Sequence, residues 1–180
     1  MGRMQTPSIE IRALQPLDWK IFKDLRIQSV SQEPTAFLAT EAEIKNLNDS
    51  YWIQASQEFE KSLFVFIAFD TKIEKAVGQI GVSPLQNQKN QHVAKLFYTY
   101  VQHEYRGHGI AQQLLAEAVE TAQKLHIKIL LLELFETQQQ ALTLYRKSGF
   151  VISGSIPNFF QVTTATGTKL IGKIEMYKEI

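Results

Sequence analysis

Apolar residues change their spacing several times along the chain, and each change marks an element. Residues 8–14 alternate apolar and polar side chains, the period of a strand with one buried face. Pro16 and Asp18 then supply a stop and a helix N-cap. Trp19, Ile21, Phe22, Leu25 and Ile27 fall mostly on one helical stripe up to about residue 30, before Pro34 ends the segment. Thr40 followed by Glu43 is a capping-box signature for a short second helix, and residues 51–59 continue the helical material. Residues 63–69 and 76–82 are dense in β-formers and flank a polar turn at 70–75, so they read as an antiparallel hairpin. A polar loop over 84–90 leads to residues 93–101, whose β-branched and aromatic side chains and length suit a central strand.

The second half is organised around an amphipathic helix. Ile110, Ala111, Leu114, Leu115, Ala118, Val119, Ala122 and Leu125 share one face and follow directly on Gly107 and Gly109. Residues 127–135 are apolar on both faces until Glu133, as in an interior strand. A strand, turn, helix and strand in that order make a unit whose two strands run parallel, so the sheet is expected to be mixed. Thr137 with Gln140 forms a second capping-box signature, opening a helix that carries Ala141, Leu142, Leu144 and Tyr145 and is closed by Gly149. Residues 150–156 and 169–177 read as two closing strands joined by a loop from Pro157 to Gly167. The expected fold is α/β of the α+β kind: a mixed, mostly antiparallel sheet of six or seven strands flanked by helices. It forms one domain over residues 8–180 after a tail at 1–7, with no internal repeat or linker.

Composition narrows the functional classes. At 180 residues, 44% hydrophobic and 21% charged, the chain has the make-up of one globular domain. Nineteen Lys and Arg against eighteen Asp and Glu leave a net charge of +1. That is no basic field for nucleic acid or an anionic membrane, so neither partner is expected. The absence of a signal-like or membrane-length apolar run points to a cytoplasmic home. With no cysteine, disulfides, thiolate zinc sites and a cysteine nucleophile are excluded. His92, His103, His108 and His126 have no metal-ligand spacing, and no metal is expected.

The segment Arg106-Gly107-His108-Gly109-Ile110-Ala111 lies where a buried strand hands over to the amphipathic helix. Glycines let the backbone turn tightly and approach a ligand, and the free amides of a first helical turn carry partial positive charge, so the segment suits phosphate oxygens. A dinucleotide fingerprint would want a third glycine near Gln112, and a nucleoside-triphosphate loop would want a lysine and a hydroxyl; none is present. The anion expected is the pyrophosphate of some other cofactor.

This segment resembles the pyrophosphate loop of the GNAT superfamily of N-acetyltransferases, which reads Arg or Gln, two residues, Gly, one residue, Gly or Ala. Downstream, Leu132-Glu133-Leu134, Ala141 and Leu144-Tyr145-Arg146-Lys147-Ser148-Gly149-Phe150 look like that family's strand, helix and closing motif. The likeness covers residues 63–178, with Pro34-Thr35-Ala36-Phe37 matching in general layout. The resemblance implies acetyl-CoA as cosubstrate, with the loop residues Arg106, Gly107, His108, Gly109, Ile110 and Ala111 on its diphosphate. It implies main-chain contacts from Thr99, Tyr100 and Val101 to the acetyl carbonyl and pantetheine arm, and a side-chain contact from Gln138. Gln138 stands where the family often has Asn, and His103 where it often has Pro.

A protonated amine cannot attack a thioester until it loses a proton, so a base is needed. Glu133, in an otherwise apolar strand, is expected to have a raised pKa by desolvation and to serve as that base; some family members use an ordered water or another carboxylate instead. Tyr145, whose phenol keeps its proton at neutral pH, suits protonation of the departing thiolate. The expected function is acetyl transfer to a primary amine of a small molecule or peptide by direct attack in a ternary complex, in a monomer or homodimer. The alternative is an acyl-CoA-binding sensor of the same fold without turnover. Tyr51, Trp52, Phe159 and Phe160 are candidates for lining the acceptor site.

Overall fold

The computed structural model describes residues 7–164 and 167–180; of the expected tail at 1–7, all but Pro7 lies outside them. The elements run β1 (Ile9–Ala13), α1 (Trp19–Gln32), α2 (Glu41–Lys45), α3 (Asp49–Ser56), β2 (Phe64–Asp70), β3 (Lys75–Pro84), β4 (Val93–Val101), α4 (Ile110–Lys124), β5 (Ile129–Phe135), α5 (Gln139–Lys147), β6 (Val151–Thr164) and β7 (Gly167–Glu179). The seven strands form one sheet in the order β1-β2-β3-β4-β5-β7-β6. Among the strands of the described residues only β4 and β5 pair in parallel, joined by α4 as the expected crossover.

Each face of the sheet is buried under helices. One packs Leu114, Leu115 and Ala118 of α4 and Leu142 of α5 with Val77, Ile80, Leu130, Leu132 and Met176. The other packs Phe22 and Leu25 of α1 and Trp52 of α3 with Leu14, Phe59, Val65 and Ile67. Each such large side chain contributes about 1.5–3 kcal/mol of burial, so the two layers clamp the sheet from both sides.

Local chemistry agrees with the sequence at several ends and departs at three. Thr40 caps α2 as expected: its Oγ1 accepts from the Glu43 amide at 3.2 Å while the Glu43 carboxylate accepts from the Thr40 amide at 2.7 Å. Asp18 precedes α1 but makes no cap bond to it; its carboxylate instead accepts from the Gln15 amide and from Arg12, closing a 3-10 turn over Pro16–Asp18. The Thr137–Gln140 box does not form, because α5 begins at Gln139 and puts Gln138 at the cap position. The loop expected from Pro157 to Gly167 is mostly strand. β6 pairs with β7 as far as Thr164–Gly167, with a bulge between Ile156 and Phe160. The bulge and the position of β6 at the edge of the sheet accommodate Pro157, which has no amide to donate.

Two features pull the sheet open beside its parallel pair. From Gln79 to Gly81 of β3 the partners on β4 run from Tyr100 to Phe97, one residue more than the register needs. That bulge is built at Tyr98, which takes φ of 60°, a left-handed conformation costing a side-chain-bearing residue about 1–2 kcal/mol. Pairing of β4 with β5 covers only Val93–Lys95 and Ile129–Leu131, whereas β5 continues on β7 through Phe135. Beyond Lys95 the two parallel strands therefore diverge.

Candidate active site

The divergence opens a cleft of about 870 Å³ whose walls include Thr99 on β4, Glu133 on β5, and Gln138 and Tyr145 around α5. Helices α1 and α3 close the cleft from the other side with Arg26, Tyr51 and Trp52, joined by Phe37 of the α1–α2 connection, and Phe160 of β6 also faces it. Thus Tyr51, Trp52 and Phe160 line the cleft as expected, whereas Phe159 stands half-exposed on β6, under the Lys173 ammonium.

Tyr145 is placed by the end of its helix. The Phe150 amide donates to the Tyr145 carbonyl and the Gly149 amide to the Arg146 carbonyl, both closing on Gly149 at φ of 85°. This Schellman ending brings the Phe150 ring to 5.4 Å from the Tyr145 ring, edge on. The hydroxyl donates to Thr99 Oγ1 at 2.8 Å. Burial pushes the phenol up to about 12, opposed by the bond to Thr99, so it holds its proton throughout the neutral range. Thr99 therefore meets Tyr145 through its side chain, a contact that the main-chain role expected for it did not include.

Glu133 departs from expectation. It points to the cleft side of β5, 42% exposed, with Lys95 Nζ 3.7 Å away, so the desolvated setting read from its apolar neighbours is absent. Strand alternation explains this: Leu132 and Leu134 turn into the core, and Glu133 between them must face the opposite way. Directly across from it on β7 stands Glu175, a second carboxylate in the cleft wall, which Lys173 pairs at 2.6 Å. Gln138 accepts from the Phe135 amide at 2.8 Å through Oε1, which pins the start of α5 to the end of β5.

The glycine turn stands at the far end of β4. Gly107 and Gly109 take φ of 82° and 75°, and the chain enters α4 at Ile110. Among the described residues, no backbone acceptor receives the amides of Gly107, His108, Gly109, Ile110 or Ala111; the first capped amides are those of Gln112 and Gln113, on the Gly109 carbonyl. Free donors in this turn at the positive end of a fifteen-residue helix are a setting that suits an anion. The His108 ring is turned back onto the Arg106 carbonyl at 3.1 Å. Tyr100 and Val101 are buried, and the Tyr100 hydroxyl donates to Gln32 at 2.6 Å.

Arg106 acts as a brace. Its Nε donates to the Val101 carbonyl at 3.0 Å and its Nη2 to Glu33 at 2.6 Å, while His103 Nε2 meets the same Glu33 oxygen at 2.7 Å. Burial alone would raise the Glu33 carboxyl, but the bonds from His103 and Arg106 outweigh it and hold the group below its ordinary value. The His103 position thus ties the turn to the end of α1. Glu33, Glu175 and Arg26 were not singled out from sequence, since nothing local distinguishes them from other charged residues; each gains its place through contacts across the fold.

The mixed sheet thus opens beside its β4–β5 pair, with the glycine turn at the start of the crossover helix. The chain belongs to the acetyltransferase (GNAT) family, whose model matches residues 25–150. Its fold is similar over 96% of its length to all of an acetyltransferase of the GNAT family from Streptococcus pneumoniae, with TM-score 0.84 and 26% identity. A GCN5-related N-acetyltransferase from Kribbella flavida matches over 96% of this chain and 98% of its own, with TM-score 0.78 and 18% identity. YncA from Salmonella typhimurium, solved with its cofactor acetyl-CoA, matches over 96% and 94%, with TM-score 0.75 and 14% identity. Among the described residues no helix is long and apolar enough to cross a membrane.

Proposed function

We propose that this protein transfers the acetyl group of acetyl-CoA to a primary amine by direct attack in a ternary complex. The observation that carries the reading is the glycine turn from Gly107 to the first-turn amides of Ile110 and Ala111 at the N-terminus of α4, just beyond the strand that forms one wall of the cleft. Those donors fit a diphosphate, and the opened edge of β4 past Lys95 offers backbone groups to an extended arm reaching toward Thr99. The family membership and a related fold solved with acetyl-CoA support the same cosubstrate.

In this reading Glu133 takes the proton from the acceptor ammonium, directly or through a water, and the freed nitrogen pair attacks the thioester carbonyl carbon. As the carbon–sulfur bond breaks, the Tyr145 hydroxyl gives its proton to the departing sulfur, and the second proton of the attacking nitrogen leaves through solvent and restores the phenol, giving the neutral amide and the free thiol. Backbone donors of residues 99–101 stabilise the oxyanion, and Gln138 offers its remaining amide group to the arm. The chain contributes chiefly by holding amine and thioester together, which is worth more than any single proton transfer.

Release of free coenzyme A across a broad panel of amines tests the proposal, with calorimetric titration of coenzyme A alongside. Binding with amine-dependent release supports it. Binding without release for any amine would identify an acyl-CoA sensor, and no binding would remove the proposal altogether.

A further inference from the structure

Helix α1 carries a charged group that the proposed reaction does not use. Arg26 is only 4% exposed. Its guanidinium lies 4.1 Å from the centre of the Tyr98 ring and 5.1 Å from that of Phe37, on a tilted shelf of aromatic faces. Its one hydrogen bond among the described residues runs from Nη1 to Ser29 Oγ at 3.2 Å, and that hydroxyl is already committed to the Arg26 carbonyl at 2.9 Å. Among the described residues no carboxylate pairs with it: the ion pairs that α1 and its end make, Lys23 with Asp49 and Glu33 with Arg106 and His103, pass it by. A guanidinium has five donors and cannot shed its charge, so burying one without an anion is strongly unfavourable. A bound oxyanion would supply the charge that Arg26 lacks.

The position of the group says what the ligand is. Arg26 lines the same cleft as Thr99, Glu133 and Tyr145. Tyr98, the ring beneath it, is the bulged residue next to Thr99, which receives the Tyr145 hydroxyl. The other cation in the cleft lining, Lys95, is occupied by Glu133. The β5–β7 side of the cleft carries Glu133 and Glu175 facing each other in register. One cleft therefore holds a buried cation without an anion on its α1 side. Its carboxylates Glu133 and Glu175 already have Lys95 at 3.7 Å and Lys173 at 2.6 Å, and Glu58 is a third in the lining, so the charge left for a ligand to complete is that of Arg26.

We propose that Arg26 binds an oxyanion of the acceptor, and that the acceptor is an amino carboxylate whose amine lies toward Glu133 and Glu175. This rests on the transferase reading of the cleft and narrows its acceptor from amines in general to those bearing a carboxylate. Arg26 acts in specificity: it holds the molecule that is acetylated and touches no reacting bond.

The test uses the twenty amino acids, their amides and their decarboxylated amines as matched sets, on the full chain and on Arg26→Lys and Arg26→Met. Methionine keeps the aliphatic volume on the Phe37 and Tyr98 rings, and lysine keeps the charge while losing the fork. In the native protein at least one free acid is expected to exceed its amide and its amine in kcat/KM by on the order of 10- to 100-fold, the span of a charged hydrogen-bonded pair. Arg26→Met should erase that preference by raising KM for the acid, leaving coenzyme A affinity unchanged, and Arg26→Lys should retain part of it. A thermal scan separates a structural role: an unpaired buried charge that awaits ligand predicts a melting temperature for Arg26→Met no lower than native. Direct titration of the acids in the presence of coenzyme A gives a readout that does not depend on turnover. Coenzyme A binding with equal use of acids and amides overturns the inference and leaves the transferase reading standing. A lowered melting temperature with unchanged acid preference overturns it as well. Carboxylate heat without coenzyme A binding would instead remove the transferase reading and keep the oxyanion site.

Discussion

The Tyr145 hydroxyl donates to Thr99 Oγ1 at 2.8 Å, tying the last turn of α5 to the strand residue beside the β4 bulge. This bond aims a buried, protonated phenol along the opened edge of β4. Tyr145→Phe is therefore expected to lower kcat on the order of 100-fold or more, the usual span of a general acid. Coenzyme A affinity should be unchanged, and stability should fall by only about 0.5–1.5 kcal/mol for the lost hydrogen bond. Steady-state kinetics with calorimetry decide it, and an unchanged kcat removes Tyr145 from the proton transfer.

Alkaline stability follows from the same residue. Burial raises Tyr145 and Tyr100 each from an ordinary 10.0 to about 12. A group whose folded value lies above its unfolded value stabilises fully below the unfolded value and loses that contribution as pH rises toward the folded one. Stability should therefore decline across pH 10.0 to about 12, and Tyr145→Phe should decline less steeply. Denaturant midpoints read against tyrosinate absorbance measure it.

The turn at Gly107 and Gly109 depends on backbone conformation. A Cβ on Gly107 would meet open space, so its φ of 82° is what resists substitution. Gly107→Ala and Gly109→Ala should each cost about 1–2 kcal/mol and weaken coenzyme A binding. Gly109→Asn should cost less, because asparagine tolerates the left-handed region better. Binding as tight as native in both alanine variants would show that the turn amides do not hold the diphosphate.

Acid should loosen the brace at the other end of the turn. With its folded value held below the ordinary 4.5, Glu33 stabilises the fold above that pH and loses its contribution as pH falls through the folded value. Glu33→Gln should flatten the fall in melting temperature on acidification. The effect is expected to be small, because the carboxylate and Arg106 are both partly open to solvent. A melting curve over acid pH, taken on both proteins, checks it.

Glu133→Gln should reduce kcat/KM for the amine on the order of 100-fold at neutral pH if Glu133 is the base. Glu175→Gln, which keeps that base, should mainly raise KM for the amine. A Glu133→Gln enzyme with native kcat/KM would assign the proton to another carboxylate or to water.

The layout of the fold was legible because its signals are local. Strand alternation, the β4–α4–β5 succession and the Gly149 cap are each written within a few residues, and all three stand in the structure. The sequence predicts too short a closing hairpin because Pro157 marks a break in most strands, and only the pairing with β7 shows that an edge bulge absorbs it. Within the site, Tyr145 and the glycine turn were visible through their motifs. Glu133 was placed in the right strand and the wrong environment, since apolar neighbours in sequence lie on the opposite face. Arg26 and Glu33 were silent, because a cation without a partner and a carboxylate with two differ from ordinary surface charges only after distant elements meet.

Helix α1 presents Arg26 to the cleft, Gln28 to Gln102, Gln32 to the Tyr100 hydroxyl and Glu33 to Arg106. One helix thus reaches both the cleft and the glycine turn. Any change that a ligand at one end makes in affinity at the other would, by thermodynamic reciprocity, be returned by the same factor.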